Sequence, residues 1–376
     1  MWRKNIRVSL HCQRLLSSEP SNAKKLKILK KEYLQEGKFK SSRELAIELS
    51  QNILYYDPKK DSSGLIAINK PAGVAIQSRE EEIGVEGALP ELQAILKVKD
   101  LQLVKSVQRY ASGCILLSTK DQGTNQIKKA LRRASQDKVF TDTYYVLTHG
   151  LPRKDFIQET VDRKLQTIRN LESPLSKKGH AMEPFLDRIL VSKSQLDKKE
   201  NNIKRITVEA SVISKSSNGT SSLFRVEATS VMNNFIPVYC ADMLSPILGD
   251  EMFSYRVRQF MGKLVHVKPQ LAPHQKTVNL PEWFLSKIGL SPGEEKLIPL
   301  HLHLGRVCLP KYFGKDKHLI INAPPRPFFQ GTADMLGISL SKLEDDVEEW
   351  RTYKSVGQKK SKKSEPIIDI LVPNEN

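Results

Sequence analysis

The sequence predicts an α+β fold with antiparallel pairing, and three observations carry that prediction. Two alternating runs, RITVEASVIS and SLFRVEATS, are joined by SSNGTS, where Asn218 and Gly219 offer the positive φ of a hairpin turn. Two short apolar runs, LIAIN at 65–69 and CILLST at 114–119, end at glycine, proline or polar residues, as buried strands do. Segments with helical spacing lie around them.

Taken in order, SSRELAIELSQNILYY places Leu45, Ile47, Leu49 and Ile53 near helical spacing, after a Lys-rich stretch at 21–40 that reads as a basic linker or a frayed helix. After the second apolar run, Asp121 is placed to cap a helix. In that helix Ile127, Ala130, Leu131 and Ala134 form one stripe, while Lys128, Lys129, Arg132 and Arg133 cover the other side. TYYVLTHG reads as the next strand. The polar stretch 152–202 yields no clear element and is expected to be a variable insertion. LIPLHLHLGRVCLP alternates as a strand does. LSKLEDDVEEW closes the fold as a helix within 339–353, with Ser341 and Glu344 as its capping box. The main domain is therefore expected over 41–338, followed by a basic, disordered tail at 354–376.

Composition narrows the function. The chain has 376 residues with 60 Lys and Arg against 42 Asp and Glu, a net charge of +18. It has no apolar run near the ~18 residues that span a bilayer, so membrane insertion is not expected. The four cysteines, Cys12, Cys114, Cys240 and Cys308, stand far apart, so neither a zinc ribbon nor a disulfide framework is indicated. Positive charge gathers at the ends: residues 1–40 hold 11 Lys and Arg and only 3 Glu. Before Glu19 there is no acid, and Arg3, Lys4, Arg7 and Arg14 lie beside Trp2, Ile6 and Leu10 on one helical face. Residues 1–20 read as a mitochondrial presequence, with a basic arm that binds RNA directly as the alternative.

Four segments resemble the RluA-type pseudouridine synthases. LIAINKPAGVAIQ matches the family's strand-plus-loop motif at Asn69, Lys70, Pro71 and Gly73. LVKSVQRYASGCILLSTKD, residues 103–121, aligns without a gap to LVHRLDxxTSGLLLLAKTD. TYYVLTHG resembles the K-x-Y-x-A-L-V-x-G strand and puts Tyr144 at the family's active-site tyrosine. NNFIPVYCADMLSPILGDEMF, residues 233–253, resembles THQIRVHLAHxGHPILGDxxY. The resemblance covers about 45–330 and implies a pseudouridine synthase catalytic-domain fold: a long, bent, mostly antiparallel sheet with flanking helices and a central cleft. No cofactor is implied.

In that family an Asp starts the reaction at the glycosidic carbon of uridine; the freed uracil turns and rejoins the ribose through C5. Attack or deprotonation needs a carboxylate. The alignment puts Gln108 where the Asp belongs and Ser106 where the motif's Arg belongs. Asp100 and Asp121, the nearest carboxylates in sequence, fall on the far sides of the loop and strand. The Arg that pairs with the Asp falls on Pro237, and the neighbouring His and Gln fall on Asn234 and Phe235. A buried carboxylate and its guanidinium go together, because losing one leaves a charge whose burial costs roughly 3 to 5 kcal/mol.

The resemblance implies that RNA holding survives the loss. Asn69, Lys70, Lys105, Arg109 and Lys120 belong to the loops that line the family's cleft, and Lys128, Lys129, Arg132 and Arg133 could extend that surface along phosphates. Tyr144 either stacks on a base or fills the core. His301 and His303 share one side of a strand, but no third ligand is near them, so no metal is expected. Cys114 and Cys240 read as core. The leading expectation is an inactive homologue in the mitochondrial matrix that binds mitochondrial rRNA, mRNA or tRNA, with possible protein partners in an RNA granule or in ribosome assembly. An active synthase using another carboxylate is one alternative, and a protein-interaction scaffold for an active paralogue is a second.

Overall fold

The structure, a computed structural model, describes residues 21–56, 64–79, 82–168, 181–190, 192, 203–261, 263–267, 280–314, 317–341 and 343. The expected presequence at 1–20, the tail at 354–376 and nearly all of the 339–353 helix lie outside these residues. In chain order the elements are α1 (Asn22–Gln35), α2 (Ser42–Gln51), β1 (Ile53–Tyr56), β2 (Leu65–Lys70), α3 (Val85–Leu96), β3 (Gln102–Lys105), β4 (Ser112–Ser118) and α4 (Asp121–Gln136). Then follow β5 (Asp142–His149), β6 (Phe156–Ile168), β7 (Ala181–Asp187), β8 (Lys204–Lys215), β9 (Ser221–Ala228), α5 (Phe235–Asp242), β10 (Val257–Phe260) and β11 (Lys263–His266). The last are α6 (Glu282–Lys287), β12 (Leu302–Gly314), β13 (Lys317–Asn322) and α7 (Pro327–Leu336).

Among the described residues eleven strands form one sheet in the order β1-β2-β4-β12-β5-β9-β8-β6-β7, with β3 on β4 and β13 on β12. Every pairing is antiparallel except β4 with β12. That parallel junction needs a glycine: Gly113 has φ +119°, and a Cβ there would lie 2.4 Å from Leu304 O. The sheet is covered on both faces. Along β5, Tyr144 and Val146 enter the cluster under α2, α3 and α4, while Tyr145 and Leu147 enter the cluster of α1, α6 and α7.

The hairpin expected at 216–221 joins β8 to β9, with Lys215 opposite Ser222. Only Gly219 takes the positive φ, +66°. Asn218 acts instead through its side chain, whose Oδ1 accepts from Ser216 Oγ at 2.9 Å and Thr220 Oγ1 at 2.7 Å.

Two expectations change, and one that was open closes. Residues 22–35, expected as linker or frayed helix, form a helix, because Leu29 and Tyr33 lie one turn apart and bury against α7. Asp121 is the first helical residue of α4 rather than its cap; Lys120 holds the cap position without a side-chain bond, and Asp121 accepts from Gln102 Nε2 at 3.0 Å. The 152–202 stretch contributes two strands to the main sheet, β6 and β7, paired from Asp162↔Asp187 to Ile168↔Ala181.

Candidate functional site

Gln108 sits in the loop between β3 and β4. Its side chain is half-buried, and Nε2 donates to Val231 O at 3.2 Å, which ties the loop to the segment entering α5. The backbone closes a turn at the same place, with Ala111 N donating to Gln108 O at 3.1 Å. Across that contact, Asn233 and Asn234 both adopt left-handed backbone, at φ +55° and +56°, and Asn234 caps α5. Asparagine tolerates this conformation better than other non-glycine residues. Pro237 is the third residue of the helix and is buried. A first-turn N–H has no partner within the helix, so a proline there costs no internal hydrogen bond.

The charged pair in this region is Lys105 with Asp142. Lys105 Nζ lies 2.7 Å from Asp142 Oδ2, with the side chains only 16% and 9% exposed. Lys105 ends β3, three residues before Gln108, and Asp142 opens β5, two residues before Tyr144 on the same face. Asp142 Oδ1 is buried without a hydrogen-bond partner. Burial, then the nearby Asp142 and Cys114, push the Tyr144 hydroxyl well above its ordinary pKa, so it stays protonated. Tyr144 lies in the main core cluster.

Two residues expected to contact RNA are internal. Lys70 is fully buried and donates to Pro71 O at 2.8 Å, Val74 O at 3.0 Å and Arg109 O at 3.1 Å. Three carbonyls use up the three donors of an ammonium, so Lys70 shapes the loop and reaches no phosphate. Burial pulls its pKa down to about 7. Asn69 is also buried and donates from Nδ2 to Pro324 O at 2.8 Å. Both are framework residues.

Arg109 differs. It is exposed, pairs with Glu82, and places its guanidinium 5.2 Å from the centroid of the Tyr110 ring. Tyr110 is itself 49% exposed. Cation and ring together give a platform on which a base can stack. Sequence reasoning missed both Tyr110 and Asp142. An aromatic beside Arg109 in a polar loop was the available signal for the first; the second depends on sheet register. Farther along, Lys120, Lys128, Lys129 and Arg132 are exposed on one side of α4 or at its start, and Arg133 is half-buried. Ile127, Ala130 and Ala134 bury the opposite side.

His301 and His303 are fully buried with both ring nitrogens engaged. His301 Nδ1 donates to Pro299 O at 2.7 Å, and Nε2 lies 2.8 Å from Thr332 Oγ1. His303 Nε2 donates to Ala323 O at 2.9 Å and Nδ1 accepts from Ser112 Oγ at 2.9 Å. Burial holds them neutral, with pKa values near about 3 and about 4, and they act as struts of β12. Among the described residues no group of three or more His, Cys, Asp or Glu side chains could hold a metal ion.

The family model of the RNA pseudouridylate synthases matches residues 64–236 of this chain, the stretch that holds the NKPAG loop and the β3–β4 turn. The human mitochondrial mRNA pseudouridine synthase RPUSD3 is 27% identical over 278 residues, 73% of this chain and 74% of the relative. The Rattus norvegicus pseudouridylate synthase RPUSD4, mitochondrial, is 24% identical over 369 residues, 88% of this chain and 87% of that protein. The solved structure of human RNA Pseudouridylate Synthase Domain Containing 4 shares the fold with a TM-score of 0.56 at 21% identity, over 80% of this chain and 98% of that one.

Proposed function

We propose that this chain is an RNA-binding member of its family that has given up isomerase chemistry and works on mitochondrial RNA in the matrix, in RNA processing or ribosome assembly. The observation that carries the reading is Gln108. Its amide is fixed to Val231 O at the place the resemblance gives to the reactive carboxylate, and Pro237 fills the place of the carboxylate's arginine. An amide neither attacks a glycosidic carbon nor removes a proton. Because the arginine position is also uncharged, no ion is left unpaired and the fold keeps its stability. The amide can still read the pairing edge of an extruded uracil.

RNA holding is assigned to the Arg109–Tyr110 platform and to the cationic side of α4. The acid-free, arginine-bearing 1–20 segment supports delivery to mitochondria, as do relatives named for that compartment. Replacing Lys128, Lys129 and Arg132 together by alanine tests the assignment. Three lost phosphate contacts should weaken binding to every RNA alike and flatten the slope of log affinity against log salt by about 2. An unchanged slope would remove α4 from the interface.

Asp142 favours one second reading. It brings a carboxylate with an unpartnered oxygen beside Tyr144, held by the Lys105 ammonium. In this second reading an active synthase uses that carboxylate, and its activity vanishes in Asp142→Asn.

A further inference from the structure

We propose that the β10–β11 hairpin is a second contact for single-stranded RNA, lying beyond the cleft at the far end of α5. The inference rests on the RNA-binding reading above and extends it to a surface which that reading does not use.

The sequence sets the charge. No Asp or Glu occurs between Glu251 and Glu282, a span that carries Arg256, Arg258, Lys263, Lys268 and Lys276. Pairing sets the geometry. Val257↔His266, Arg258↔Val265, Gln259↔Leu264 and Phe260↔Lys263 are the partners, so Arg258, Phe260 and Lys263 fall on one face of the two-stranded ribbon. An aromatic ring stands there between two cations. Phe260 is 64% exposed and Met261, beside it, 88% exposed.

The base of the hairpin is fixed while its end projects. Arg256 is fully buried, with NH2 donating to Glu183 Oε2 at 2.8 Å and NH1 to Pro184 O at 2.6 Å, while Tyr255 Oη donates to the same Glu183 oxygen at 2.8 Å. Through these bonds β7 holds the ribbon. Beside its second strand opens a cavity of about 510 Å³ lined by Arg153, Lys154, Arg188 and His266 together with Glu159 and Asp242. The two acids hold Arg188, at 2.9 Å and 2.7 Å. Arg153 and Lys154 line the same cavity, so among its described lining residues three Arg and Lys side chains stand against two acids.

Position links this surface to the cleft. The segment before α5 holds Gln108 through Val231, and Asp242 at the other end of the helix lines the cavity. Eight helical residues span about 12 Å, so one strand of RNA can touch both. One exposed ring that accepts any base, flanked by cations, fits single-stranded RNA rather than a protein surface, where the cations would need acids opposite them.

The test is binding of a fluorescein-labelled oligouridylate to the full chain, read by anisotropy over a salt series, for wild type, Phe260→Ala and Lys263→Glu. Both substitutions are at exposed positions, and melting curves matching wild type will show that folding is kept. Phe260→Ala should bind about tenfold more weakly with an unchanged salt slope, as loss of one stacked base requires. Lys263→Glu should flatten the slope by about 0.7 or more. Phe260→Ala and Lys263→Glu both binding within twofold of wild type would overturn the hairpin contact while leaving the RNA-binding reading standing. A wild type that fails to bind at all would overturn that reading instead. Photocrosslinking from position 260 in mitochondrial extract should capture RNA; capture of protein alone would also overturn the inference.

Discussion

At the scale of single residues, the site shows which substitutions the framework absorbs. Pro237 fits because it falls in the first turn of α5, and Gln108 fits because Val231 O takes its amide proton. The alignment located both positions, but not what their side chains touch. Lys70 marks a limit of reading charge from sequence: in a basic chain, a lysine in a loop motif looks like a phosphate ligand. Here the loop folds its carbonyls around that lysine. Burial lowers its pKa from the usual 10.5 to about 7, so from pH 7 upward the unfolded chain binds a proton that the folded chain lacks. Stability must then rise with pH in that window, by on the order of 1 kcal/mol between pH 7 and 8. Above that, the thiols of Cys114, Cys240 and Cys308, held protonated by burial, act in the opposite sense. Urea melts at pH 7 and 8 should show the rise in wild type and its loss in Lys70→Met. A flat wild-type profile would mean that the three carbonyls keep the ammonium charged.

Among the elements, periodic ones were legible and charge-masked ones were not. The two buried strands, the β8–β9 hairpin and α4 follow from period and turn chemistry alone. Helix α1 was hidden by its lysines: only Leu29 and Tyr33 are buried, too few to register in a window average. They matter because they dock the helix. A Cβ on Gly331 would lie 3.0 Å from Leu29 Cδ1, and Tyr33 Oη lies 2.6 Å from Thr332 Oγ1, the hydroxyl that also meets His301. The nearby Glu36 carboxylate accepts from Ala72 N at 2.8 Å and from Arg326 Nε at 3.3 Å, which joins the end of α1 to the NKPAG loop. Leu29→Ala should therefore destabilise the domain by about 2 to 4 kcal/mol, measured by chemical denaturation. A change under about 0.5 kcal/mol would return 21–40 to the status of a linker. Strands β6 and β7 were hidden for another reason. They are long, polar and near the edge of the sheet, so neither carries the apolar run by which a buried strand is recognised.

For the whole molecule, charge and fold were readable before any contact was known. An excess of 18 positive charges and four ordered motifs pointed to an RNA-handling α+β domain, and the sheet order bears out its architecture. What could not be read was which distant groups meet. Asp142 and Lys105 come together only because β12 lies between β4 and β5 and fixes their register, so no sequence spacing announces the pair. Near that pair, whose carboxylate is already held by an ammonium, an amide stands where the resemblance places the reactive acid. The most direct measurement is tritium release from RNA carrying C5-tritiated uridine, with purified protein, substrate in excess and Asp142→Asn as the control. No release above background is predicted for either protein, alongside salt-sensitive binding of the same RNA. Repeated turnover by wild type that disappears in Asp142→Asn would contradict the account.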